Sequence, residues 1–295
     1  MLKPGNSVTP VSSVRSEWTT YSKNSHLVIA LSEQVAMLHR RVAHSRGSRK
    51  VSDHLLRYDG FCPICQRPTT FEATNAWLRD YLRCLSCPNG SVPRERAVAL
   101  VLEEQRPNWR GLRIHESSPI ARGISRKLRL EAQHLVQTQF YPDLALGSTE
   151  RAFRNEDLQN LTFPDHAFDL FVSLDVMEHV PDPAAAVKEI FRTLAPGGAM
   201  ICTWPVSKHQ VTAVSPRVSY GAEGITYLKP PQYHGNPVSK DGALVTVDYG
   251  YDVHRWIAEI APMDVRVYRF ADKTHGILGE FTDVFFATRA ADAMV

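Results

Sequence analysis

The chain has 295 residues, 43% of them hydrophobic and 22% charged, with a formal net charge of +3, ordinary values for a globular protein of one large domain plus an accessory piece. No apolar stretch reaches the ~18–20 residues of a membrane span, and no short basic region leads into an apolar block, so a cytoplasmic protein without a membrane partner is expected. Charge is uneven: residues 1–110 hold 16 Lys and Arg against 9 Asp and Glu, while residues 111–295 hold 18 against 22. A basic front half is either a contact surface for a polyanion such as RNA or a solvated accessory face.

Residues 1–22 are rich in Ser, Thr and Pro and form an expected tail. Leu27, Leu31, Val35, Leu38 and Val42 recur at helical spacing, which predicts an amphipathic helix over residues 24–43. Its basic end, His39-Arg40-Arg41, suits a helix C-terminus. The apolar face either docks on the main domain or pairs with a second copy as a homodimer contact. Next stand Cys62-x-x-Cys65 and, eighteen residues on, Cys84-x-x-Cys87. Two such pairs at this separation predict a structural tetrathiolate Zn2+ site, each pair forming one knuckle. Disulfides or a redox pair explain the pattern less simply, and Cys202, within an apolar run, reads as a core residue. Arg94-Glu95-Arg96 reads as a hinge ahead of an apolar helix over residues 97–102. The expected domains are 1–57 (tail and helix), 58–108 (zinc-binding) and 109–295 (main domain).

Strands are expected at residues 112–116, 135–138 and 152–155. Phe168 to Val172 is a short apolar run that reads as a buried strand. Ala186, Val187, Ile190 and Leu194 then lie on one helical face, Pro196-Gly197-Gly198 stops that helix, and residues 199–203 start another buried strand. Strand, helix, turn, strand is a right-handed crossover, so the fold class is α/β with a parallel sheet. Ligands of such sheets bind at the carboxyl ends of the strands, where Leu174, Asp175, Glu178 and His179 follow the apolar run. After the next strand the chain leaves the sheet for residues 206–245, a long excursion that includes His209, Tyr233, His234 and several glycines. Residues 251–261 read as a helix, and 264–270 with 283–288 as a final antiparallel pair, with 273–279 between them.

The segments Asp157-Leu158…Leu161-Thr162-Phe163, Phe168-Asp169-Leu170, Val176-Met177-Glu178-His179-Val180 and Leu194-Ala195-Pro196-Gly197-Gly198 resemble, in order and separation, those of the class I S-adenosylmethionine (SAM)-dependent methyltransferases. The resemblance covers roughly residues 110–205 and more loosely the sheet to 290. It implies a Rossmann-like seven-stranded sheet beside the small N-terminal zinc-binding domain, with SAM as cofactor. Asp157 and Leu158 would then meet the adenine, and Leu174 and Asp175 would border the cofactor. The family's glycine-rich first turn is replaced by Ile114-His115-Glu116-Ser117-Ser118-Pro119. One reading of this departure is a family variant with Glu116 at the methionine amino group and Ser117 and Ser118 keeping the turn open; the other is a degenerate fold that no longer binds SAM. The acid that usually takes the ribose hydroxyls is replaced by Gln139. In related enzymes the insertion after strand five covers the acceptor, which makes 206–245 the expected lid.

Three readings of Asp175, Glu178 and His179 stay open: His179 as the base that deprotonates the acceptor, a divalent-metal (Mg2+) site like that of some quinone-pathway O-methyltransferases, or a hydrogen-bonded loop. His209 and His234 on the lid are further acid–base candidates. The expected function is methyl transfer to a small molecule, a saccharide or secondary metabolite. The alternatives are RNA methylation, since the chain also resembles ribosomal-RNA guanine methyltransferases with an N-terminal zinc finger, and an inactive methyltransferase-fold scaffold.

Overall fold

The computed structural model describes residues 10–11, 55–207, 210, 212–236 and 239–291. The helix expected over 24–43 and His209 lie outside the described residues. By contacts the chain divides into two compact units that are not contiguous in sequence. The first takes residues 1–107, 121–131 and 266–284; the second takes 108–120, 132–265 and 285–295.

In the first unit, after the two-residue β1 (Pro10–Val11), strands β2 (Leu56–Cys62), β3 (Arg67–Ala73) and β4 (Leu82–Cys84) form an antiparallel three-stranded sheet. The short helix α1 (Leu78–Tyr81) links β3 to β4, and α2 (Pro93–Gln105) follows. Phe71, Ala73, Leu82 and the cysteines make up its small core. Arg94-Glu95-Arg96 is no hinge. All three lie inside α2, and Glu95 and Arg96 are fully buried. Their charges are answered in place: the Glu95 carboxylate accepts from the Val92 amide at 2.9 Å and from Arg122 Nε at 2.9 Å, closing the first turn of the helix. Helix α3 (Gly123–Glu131), which no sequence pattern announced, opens on Gly123 at φ +52°, where a Cβ would stand 2.1 Å from the Glu95 carboxylate.

The large sheet contains β5 (Arg113–Ser117), β6 (His134–Gln139), β7 (Arg154–Asn155), β8 (Phe168–Leu174), β9 (Leu194–Thr203), β16 (Met263–Tyr268) and β17 (Val284–Arg289). Its order is β1-β16-β17-β9-β8-β5-β6-β7, with β1 added at one edge to the seven expected strands. The pairs β5–β6, β5–β8, β6–β7 and β8–β9 are all parallel. Strands buried on both faces read as continuous apolar runs, as Leu170, Phe171 and Val172 or Met200, Ile201 and Cys202 do at no more than 1% exposure. Helix α4 (Pro183–Thr193) starts on Asp182, whose carboxylate accepts from the Ala184 and Ala185 amides. It ends directly in β9: Leu194 already pairs with Phe168, and the register shifts before Ala199. Pro196-Gly197-Gly198 therefore lies within the strand span, at the irregularity, and is not a separate turn. Helix α5 (Val253–Ile260) precedes β16. No helix of the described residues is long and apolar enough to cross a membrane.

Candidate functional site

Cys62 closes β2 and Cys84 closes β4, so each strand end delivers the first thiol of a knuckle. The backbone turns back just after each pair: Gln66 (φ 53°) and Asn89 (φ 60°) take left-handed conformations, and the Gln66 amide bonds the Cys62 carbonyl at 2.7 Å. The four cysteines are free thiols in one cluster, with Sγ atoms 3.6 Å (Cys62–Cys87) and 3.9 Å (Cys65–Cys84) apart. Four thiolates at ~2.3 Å from zinc stand about 3.8 Å apart, so the donor set fits a closed tetrahedral site. Arg96, with no exposure, donates to the carbonyls of Ser91, Leu82 and Gly276 and lies 4.7 Å over the Phe71 ring. It places a fixed positive charge in this small core, against the negative charge that four thiolates would carry.

The sheet order reverses between β5 and β8, which makes their carboxyl ends the crevice of the second unit. Both strands leave through a strained non-glycine residue, Ser118 (φ 53°) after β5 and Asp175 (φ 54°) after β8. Each is held there. Ser118 donates its amide to the Thr138 carbonyl at 2.8 Å and its hydroxyl to Gln139 Oε1 at 3.0 Å. Asp175 donates its amide to the Thr203 carbonyl at 3.0 Å and accepts from Thr203 Oγ1 at 2.9 Å. Between them the Ser117 hydroxyl donates to Ser173 Oγ at 2.9 Å. Glu116, 1% exposed, accepts from Gln137 Nε2 at 2.6 Å. Asp157 holds its own turn: its carboxylate accepts from the Gln159 amide at 2.9 Å and from the Gln159 side chain. Leu158 is buried beside it at 7% exposure. Thus Glu116, Ser117, Ser118, Gln139, Leu174 and Asp175 gather on three neighbouring parallel strand ends.

On the acceptor side, residues 177–179 form one turn of 3-10 helix. The Glu178 side chain is 1% exposed, His179 18% and His234 38%. Glu178 Oε1 stands 3.8 Å from His179 Nε2 and 3.5 Å from His234 Nδ1. The His179 ring is oriented by Nδ1, which lies 2.9 Å from the Leu244 carbonyl and donates to it. Asp175, engaged with Thr203, is not part of this cluster; His234 takes the place expected for it. The sequence offers His234 as an acid–base candidate on the lid, not as a partner of Glu178. Its meeting with Glu178 was hidden because the two lie 56 positions apart.

The expected lid is built of β-structure. Strand β10 (Val214–Pro216) pairs with β15 (Val247–Tyr249), β11 (Val218–Gly221) with β12 (Gly224–Tyr227), and β13 (Tyr233–Asn236) with β14 (Ser239–Leu244).

Residues 125–202 match the family model described as a methyltransferase domain. A chloroplastic tocopherol O-methyltransferase from Arabidopsis thaliana is 40% identical over 73 residues, 23% of this chain and 21% of that protein. The match thus spans about a fifth of that relative's length. A SAM-dependent methyltransferase from Mesorhizobium loti is 17% identical with a TM-score of 0.43, covering 65% of this chain and 98% of that one. A SAM-bound amino pentose methyltransferase from Micromonospora echinaspora is 14% identical with a TM-score of 0.44, covering 68% and 93%. Residues 125–202 are thus similar to a methyltransferase domain.

Proposed function

We propose that this protein transfers a methyl group from SAM to a small-molecule acceptor at the crevice outside β5 and β8. The observation that carries the reading is the meeting of polar residues at that switch point, within a sheet that includes the methyltransferase-domain segment. The residues present fit the cofactor by their chemistry. Ser118 supplies the tight first turn without glycine because Thr138 and Gln139 hold it in the left-handed conformation. Glu116 offers the acid for an ammonium group, the small Ser117 leaves room for close approach, and Gln139 offers an amide to hydroxyls. Asp157 and Leu158 serve the adenine end, with Asp157 fixed by Gln159.

When bound, SAM supplies an activated methyl group; the chain's own work is alignment, exclusion of water and removal of the acceptor's proton. That last task falls to Glu178, His179 and His234. The Nδ1 bond to Leu244 leaves the His179 Nε2 lone pair facing the cluster, ready for the acceptor's proton or for a bound cation. A saccharide, quinol or other hydroxylated metabolite is the acceptor class of this reading.

Calorimetry with SAM, followed by transfer assays on such acceptors, tests it. SAM should bind below millimolar concentration. His179→Ala should lower kcat by roughly 10²–10⁴-fold while SAM affinity holds. No binding of SAM or its demethylated product would leave an inactive scaffold. Salt-sensitive transfer to RNA would move the acceptor to a different class.

A further inference from the structure

The buried Glu178 carboxylate has no hydrogen bond among the described residues, and its side chain is 1% exposed. An ionised carboxylate taken out of water costs several kcal/mol unless it is paired or on a metal. The groups facing it are two imidazoles, at 3.5 and 3.8 Å, with ring centroids 5.3 Å apart and edge to face. Those separations exceed hydrogen-bond reach. They are close to the ~3.4 Å edges of a tetrahedron whose ligand atoms lie about 2.0–2.1 Å from an ion.

We infer that Glu178, His179 and His234 bind a divalent transition-metal ion, distinct from the four-cysteine cluster. All three ligand atoms lie within 4.8 Å of one another. The surroundings are those of a built site. His179 Nδ1 donates to the Leu244 carbonyl, which fixes the tautomer that leaves Nε2 for a metal. The Gln232 side-chain nitrogen lies 3.1 Å from His234 Nε2; the reversed amide, with its oxygen toward the ring, is the one that holds the proton on Nε2 and frees Nδ1. One hairpin supplies both the ligand and its support: Tyr233 pairs with Leu244 and His234 with Ala243. Gly242 (φ +82°) lets the strands close, since a Cβ there would stand 2.6 Å from the His234 carbonyl. Thr246 ties the Glu178 and Val180 carbonyls to the same stretch, and the Tyr249 hydroxyl bonds the Met177 carbonyl at 2.9 Å.

Two imidazoles and one carboxylate favour zinc, iron or a similar ion over magnesium, and they leave coordination open for an oxygen ligand. A hydroxyl bound there would release its proton to solvent more readily. Its oxygen lone pair could then form the new bond to the methyl carbon while the carbon–sulfur bond breaks toward sulfur. This use of the open position rests on the methyltransferase reading; the ion site does not.

Cobalt(II) added to the full-length protein is the probe, because thiolate-bound cobalt absorbs strongly by charge transfer and nitrogen- and oxygen-bound cobalt does not. Wild-type protein is expected to take one equivalent without thiolate absorption. His234→Ala and Glu178→Gln should each lose that equivalent, whereas Cys84→Ser should keep it. Wild-type protein lacking a non-thiolate equivalent overturns the inference whether or not any variant folds. Retention of that equivalent in His234→Ala or Glu178→Gln overturns it as well. SAM titration on the same samples separates the two proposals: protein that binds the non-thiolate cobalt and not SAM keeps the metal site and loses the methyltransferase reading.

Discussion

His115 sits in the middle of β5 with no exposure, its ring 5.0 to 5.2 Å from those of Phe163, Phe168 and Phe171. Its one polar contact is Nε2 with Thr138 Oγ1 at 2.8 Å, and Nδ1 has no partner among the described residues. Burial, helped by the charge of Arg154, pushes its pKa down to about 3. The unfolded chain takes up a proton near pH 6.5 that the folded one refuses, so this residue's stabilisation is complete above about 6.5 and is lost as pH falls toward 3. Over that window the loss runs at roughly 1.4 kcal/mol per pH unit. Urea midpoints measured from pH 7 to 4 should fall less steeply in His115→Gln than in the wild type. An unchanged slope would show that His115 titrates normally. Arg96 is the contrasting case. Burial lowers its pKa too, but three carbonyls and the Phe71 face receive the guanidinium, so the charge is accommodated.

At the scale of elements, the stretch after β9 does the work of a support. Tyr249 of β15, His234 and Leu244 of the β13–β14 hairpin, and Thr246 meet the turn at residues 177–179, which is too short to hold itself. Tyr249, fully buried, is the key contact: its hydroxyl bonds the Met177 carbonyl, and burial together with the Glu178 charge raises its pKa well above the ordinary value. Tyr249→Phe leaves that carbonyl with the Val180 amide at 3.3 Å as its donor and removes the stronger bond, at a cost of about 0.5–1.5 kcal/mol. The turn that carries Glu178 and His179 should loosen, so on the proposed methyltransferase reading the transfer rate should drop more than SAM affinity does. Equal losses in both would mean that Tyr249 supports the whole sheet and not this turn.

The whole molecule is divided against its sequence order. The first unit draws in residues 121–131 and 266–284, far from the cysteines in the chain. Arg96 bonds the Gly276 carbonyl, and the Phe61 amide, next to Cys62, bonds the Thr274 carbonyl at 2.8 Å. Metal affinity is folding energy for such a small core. Full-length protein should therefore retain zinc on the four cysteines, and Cys84→Ser should release it. Hydrogen exchange should then speed up at Phe61 and across 273–279 as well as in the knuckles. Protection that survives there after zinc release would show that the Arg96 and backbone contacts suffice without the ion.

Sequence by itself determined what local pattern determines. The apolar runs around Leu170 and Met200 fixed buried parallel strands, the spacing of Ala186, Val187 and Ile190 fixed α4, and the paired C-x-x-C knuckles fixed the thiol cluster. It also pointed to the crevice, because strand ends in a parallel sheet share one side. Only the tertiary structure decided the rest. It placed Arg96 inside a helix, because acceptors distant in sequence make its burial tolerable. It separated Asp175 from Glu178, because a left-handed backbone turns that carboxylate toward Thr203. It brought His234 to Glu178, because strand pairing across Gly242 closes a hairpin whose register no local pattern records. Side chains that meet through such pairing share no periodicity, and so the sequence carries the partners of this site but not their meeting.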